Sequence, residues 1–133
     1  MKKSILILCS IFIVITAIAV LVVVKISKND YHDIAIVQYQ PGTLNEIKRI
    51  NIESEKDVKQ ITKYLNKIES SKNKEDVKLL FINEIAIKYD GSKTVFIQSS
   101  EEQYCEFNDA ESNTYRTVKM PSGLYKWVME KIK

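Results

Sequence analysis

Hydrophobic positions divide the chain into two unlike stretches. Ile5 to Val24 is a run of twenty residues with no charge, broken only by Cys9, Ser10 and Thr16. As a helix such a run is about 30 Å long, the thickness of a bilayer's hydrocarbon core. The remainder of the chain is too small to surround it on every face. The pattern predicts an N-terminal transmembrane signal-anchor over residues 1–25, a polar tether over 26–32 and a soluble domain over 33–133.

Within the domain the period changes repeatedly. Ile34, Ile36 and Val37 mark a strand over about 33–39, which Pro41-Gly42 ends. Around 46–52, Ile50 and Ile52 alternate with Arg49 and Asn51, as in a strand with one wet face. Ser54 and Asp57 form a variant capping box that opens a helix over about 55–69. Val58, Ile61, Leu65 and Ile68 supply its apolar stripe, with Tyr64 at the margin. After a charged loop over 70–76, Val77 to Tyr89 reads as one long strand. Asp90-Gly91 turns it back into 95–98, and 103–107 with 114–120 predict a further hairpin. Pro121-Ser122-Gly123 introduces a last helix bearing Leu124, Val128 and Ile132. The expected order is β-β-α-β-β-β-β-α. Short connections favour an α+β fold, an antiparallel sheet with two helices packed on one face.

Processing of the apolar run changes what the mature chain would be. Ala17-Ile18-Ala19 fits a signal-peptidase site after Ala19, yet Val20 to Val24 continue the apolar run, so retention of the anchor is expected. Cys9 follows Leu8 rather than a small residue, which disfavours lipidation. Lys2 and Lys3 on one side balance Lys25 and Lys28 on the other. Orientation then follows the default for a short N-terminal tail: a single-pass cell-membrane protein with its domain outside the cytoplasm.

The net charge of +3 belongs to the flanks of the apolar run. From Ile26 onward basic and acidic side chains are equal at 17 each, because Lys2, Lys3 and Lys25 account for three of the 20 basic residues. A neutral domain lacks the electrostatic footprint of nucleic-acid binding. Cys9 and Cys105 lie in different parts of the chain and cannot form a disulfide within one folded molecule.

Candidate chemistry is sparse. His32, the only histidine, sits on the expected tether beside Asp33, where nothing would orient the pair. Cys105 alternates with Gln103 and Phe107 and reads as a packed thiol. One histidine and one available cysteine do not make a zinc site, and Gly42, Gly91 and Gly123 form no phosphate loop. Asp109-x-Glu111-x-Asn113 resembles the start of a calcium loop, but Thr114 and Met120 stand where its Gly and bidentate Glu belong. No cofactor is expected.

Two charged surfaces are the candidate interaction sites. Lys56, Lys59, Lys63 and Lys67 recur at helical spacing opposite the apolar stripe and form a basic line suited to an anionic envelope surface or a protein partner. Glu101, Glu102, Glu106, Asp109 and Glu111 form an acidic cluster, expected to be a solvated hairpin tip.

The layout, a Lys-Lys start, an apolar anchor and a small Lys/Ile-rich α+β domain with a Pro-initiated last helix, resembles that of small membrane-anchored proteins of low-GC Gram-positive bacteria. The likeness is one of general plan and assigns no functional residue. The expected function is a membrane-tethered extracytoplasmic interaction module, not an enzyme. An immunity protein against a membrane-active peptide and an envelope hydrolase using carboxylates such as Glu84 and Asp90 are the competing expectations.

Overall fold

The computed structural model describes residues 2–26, 30–79, 84–98 and 101–133, with the side chains of the first helix described as far as Ile18. The chain divides into two compact units, Met1–Asp30 and Tyr31–Lys133.

The first unit is helix α1, Lys2–Ile26. Ser10 and Thr16 bury their polarity within it, their hydroxyls donating to the carbonyls of Leu6 (2.9 Å) and Phe12 (2.7 Å) one turn back. Ile5, Leu6, Ile7 and Leu8 are each at least 60% exposed. Four successive positions, each turned about 100° from the last, face all sides of a helix, so apolar surface surrounds α1 here. Among the described residues no helix is long and apolar enough to cross a membrane. The structure thus supports a helix over this segment and not the membrane span expected of it.

The second unit has the predicted order: β1 (Ala35–Tyr39), β2 (Glu46–Asn51), α2 (Glu55–Ser70), β3 (Ile85–Tyr89), β4 (Lys93–Ile97), β5 (Tyr104–Asp109), β6 (Thr114–Lys119) and α3 (Leu124–Ile132). The strands form one six-stranded sheet in the order β2-β1-β3-β4-β5-β6, antiparallel throughout. Local chemistry sets the boundaries. The Ser54 hydroxyl accepts the Asp57 N–H at 3.2 Å and caps α2, with Glu55 and Asp57 in the first turn and Lys67 in the last, as the helix dipole favours. Asp90 (φ 51°) and Gly91 (φ 74°) take the left-handed conformation that the β3–β4 turn requires.

One face of the sheet carries the main core. Ile36, Ile87, Val95, Phe107 and Val118 from the strands pack with Ile61, Leu65 and Ile68 of α2 and Leu124 and Val128 of α3 in a single cluster. Both helices therefore cover the same face, as expected. Tyr64 is buried and Val58 only half-buried, the reverse of the predicted margin. Ala35, Val37, Tyr39 and Ala86 form a second, smaller buried cluster on the opposite face. Apolar residues therefore run continuously from Ile34 to Val37, because β1 is a central strand buried on both sides.

Two expectations are corrected. The long strand over Val77 to Tyr89 is shorter: β3 begins at Ile85, and residues 80–83 lie outside the described residues. Val77 instead belongs to a crossover that wraps the outer edge of β6. The Lys74 N–H donates to the Thr117 carbonyl at 2.8 Å, the Thr117 N–H donates to Asn73 Oδ1 at 2.9 Å, and the Val77 N–H turns back to the Lys74 carbonyl at 3.2 Å. β6 is thus covered at Thr117. β2, the other edge, is exposed except at half-buried Ile50, and carries a bulge opposite Gln38 and Tyr39 with Lys48 and Arg49 beside it. Tyr31, expected on the tether, is only 5% exposed and falls in the second unit. Asp90 holds His32 on both sides, its carboxylate accepting the His32 N–H (2.7 Å) and its N–H donating to the His32 carbonyl (2.8 Å).

Leu65 is fully buried, so Leu65→Ala removes its packing and leaves a cavity. We expect a loss of about 3 kcal/mol, read as a lower urea midpoint with an unchanged slope; a loss below about 1 kcal/mol would contradict the packing described.

Candidate interaction surface

Burial of the α2 stripe turns its opposite face outward. Lys56, Lys59, Lys63 and Lys67 are all exposed there. They advance in steps of three, four and four residues over about 16 Å of helix, so the structure brings the whole predicted stripe together. Lys59 is tied to Glu55 at 2.8 Å across fully solvated side chains, a pair worth little. Among the described residues Lys56, Lys63 and Lys67 form no ion pair.

The stripe borders two features that the sequence did not reveal. Towards its start, Lys56, Asp57 and Gln60 line a groove of about 310 Å³ with Trp127, Glu130 and Lys131 of α3. Lys131 crosses it, pairing with Asp57 at 2.7 Å and lying 5.4 Å from the Trp127 ring centre. The Lys131 hydrogen bond holds the Asp57 carboxyl below its usual range.

Towards the end of the stripe, Glu69 turns into the domain. Its carboxylate accepts hydrogen bonds from the Tyr31 (3.1 Å) and Tyr89 (3.1 Å) hydroxyls and pairs with Lys93 at 2.9 Å. The Tyr31 hydroxyl also reaches Asn66 Oδ1 at 2.8 Å, and the two tyrosine rings meet edge to face at 5.1 Å. Burial, and then the Glu69 charge, push the Tyr89 phenol well above its usual range. Burial alone would lower Lys93, but its bond to Glu69 and the nearby Asp90 and Asp109 charges leave it raised. The Arg116 guanidinium closes the helix end, donating to the carbonyls of Ser71 (2.8 Å) and Glu69 (3.1 Å) while stacked 4.9 Å from the Phe107 ring centre. Glu69 did leave one signal: an acid in the last turn opposes the helix dipole and implies a partner elsewhere.

The acidic cluster does not form one surface. Glu101 folds onto its own turn, accepting the N–H groups of Gln103 (2.6 Å) and Tyr104 (3.3 Å), with Glu102 exposed beside it. Asp109 lies at the far end of β5, accepting from Ser92 (2.9 Å), Ser112 (2.9 Å) and the Glu111 N–H (3.1 Å), while Glu111 is exposed at the hairpin tip. Glu106, between them, is only 3% exposed, which corrects the solvated tip expected of it. It points to the sheet face opposite the helices, at the side of a cavity of about 330 Å³ whose lining includes Lys74, Lys78, Tyr115 and Thr117. Burial raises its pKa, and the hydrogen bond from the Tyr115 hydroxyl only partly opposes this. Among the described residues no three His, Cys, Asp or Glu side chains gather as metal ligands.

The remaining candidates stand apart. Glu84 and Asp90 flank opposite ends of β3, roughly 20 Å apart at strand spacing, so they are not a convergent pair. The His32 side chain is exposed, its backbone held by Asp90. Cys105 is fully buried, and burial pushes its thiol up to about 12. Comparison with protein-family models, curated proteins and solved structures finds no match to this chain.

Two outcomes follow. A charge-neutral Glu106→Gln keeps the contact with Tyr115 and removes the buried charge. Since the folded carboxyl titrates above its ordinary value near 4.5, its contribution to stability is intact below that pH and is lost as pH rises through the folded pKa. Thermal melts should therefore coincide at about pH 4 and separate upward, the variant melting higher at pH 7; equal melting temperatures at pH 7 would contradict the burial. Cys105 should resist a thiol reagent at pH 8 in the folded chain and react only in denaturant; rapid labelling of the folded form would overturn its placement.

Proposed function

We propose that this chain is a membrane-tethered interaction module on the outer face of the cytoplasmic membrane, with α1 as its anchor and the α2 lysine stripe as its contact surface. The observation that carries the proposal is the exposure of Ile5, Leu6, Ile7 and Leu8 around all sides of α1. A helix apolar all round needs an apolar surrounding. The uncharged sequence from Ile5 to Val24 is long enough for that surrounding to be a bilayer. The stripe is a continuous exposed basic feature of the domain, and among the described residues Lys56, Lys63 and Lys67 form no ion pair that would compete with an anionic partner.

Fractionation and labelling test both halves. The full chain should remain in the membrane pellet after alkaline carbonate, and a Cys9→Ser, Lys72→Cys variant should react with an impermeant maleimide on intact cells. Recovery in the soluble fraction without detergent would remove the anchor. Labelling only after lysis would place the domain inside the cell.

A further inference from the structure

We propose that the C-terminal half of the α2 stripe, Lys63 and Lys67, docks on the anionic lipid headgroups of the bilayer that α1 enters; this rests on the anchor reading above. Tyr31 is the first residue of the domain, and its hydroxyl bonds Asn66 (2.8 Å) and Glu69 (3.1 Å) in the last turns of α2. Asn66 lies three residues from Lys63 and is its neighbour on the helix surface. The side chain of the domain's first residue therefore reaches α2 beside Lys63.

Only residues 27–30 separate the end of α1 from Tyr31. Even fully extended, they reach no more than about 18 Å, so the root of the domain cannot travel far beyond the headgroup layer. An anionic surface acts over a Debye length of about 8 Å at physiological salt, within this reach. The tether also holds the lysines at a high effective concentration near the surface, so weak individual contacts suffice.

Charge at this end of the domain complements such a surface. Lys63 and Lys67 are exposed and, among the described residues, form no ion pair, whereas Lys59 is engaged with Glu55. Glu69 and Asp90, the acids closest to the root inside the domain, share a single lysine, Lys93, at 2.9 and 3.6 Å. Asp30 and Asp33 flank the root, and Lys25 and Lys28 in the same stretch of sequence balance them. The positive charge offered to the surface is that of Lys63 and Lys67 themselves. Each lysine near an anionic leaflet should favour the docked state roughly fivefold.

The test uses the full chain with Cys9→Ser and Ser70→Cys carrying an environment-sensitive fluorophore, reconstituted in vesicles of phosphatidylcholine alone or with phosphatidylglycerol. Buried Cys105 stays unlabelled, and a Ser122→Cys label serves as control. We expect a blue shift at Ser70→Cys only with phosphatidylglycerol, reversed by high salt, and a docked-to-undocked ratio lowered roughly thirtyfold by Lys63→Gln with Lys67→Gln. Insertion with an identical signal in both lipids, or a shift untouched by the double substitution, would overturn the docking while leaving the anchor intact. Failure of the chain to float with either vesicle would instead remove the anchor, and the docking with it.

Discussion

The rotation of α2 about its own axis is the constraint on which the rest of the domain hangs. Ile61, Leu65 and Ile68 are fully buried, each worth roughly 1.5–3 kcal/mol of transfer free energy, and a turn of the helix in either direction would expose one of them. With that angle fixed, Glu69 must enter the domain and Lys56, Lys59, Lys63 and Lys67 must leave it. The inner polar clamp and the outer basic line are two results of one packing decision.

Glu69 shows how a locally unfavourable choice becomes structural. An acid in the last turn opposes the helix dipole, yet two phenols and an ammonium converge on it, joining α2 to the start of the domain and to the β3–β4 hairpin. Arg116 completes the arrangement by taking the carbonyls that the helix end leaves unpaired. Half-burial strengthens these bonds relative to water. Tyr31 is thereby held within the domain.

Much of the fold was legible because its signals are local. The α2 stripe, its Ser54 cap, the Asp90-Gly91 turn and the strand alternation around Ile50 depend only on neighbours in sequence, and they yielded the element order and the helix-covered face. What failed depends on distant partners. Val77 has strand-like composition, but it lies next to a segment held against β6 through Asn73 and Lys74, and nothing local reports that placement. Glu106 looked like one acid among five until the far face of the sheet placed it at a cavity wall. The lysine stripe was visible because helical period alone defines it, whereas the Trp127 groove and the Glu69 clamp require tertiary placement to exist at all.

The two margins of the sheet are finished differently. Asn73 and Lys74 occupy hydrogen-bonding positions of β6 at Thr117, while β2 carries a bulge with Lys48 and Arg49 beside it. A strand margin is a template on which another molecule can polymerise, and bulges and cationic side chains discourage this. One margin is stoppered by the chain's own backbone and the other is bent and charged. Copies crowded side by side therefore have no flat, matching rims along which to zip into a filament, and the six-stranded sheet ends where the chain ends it.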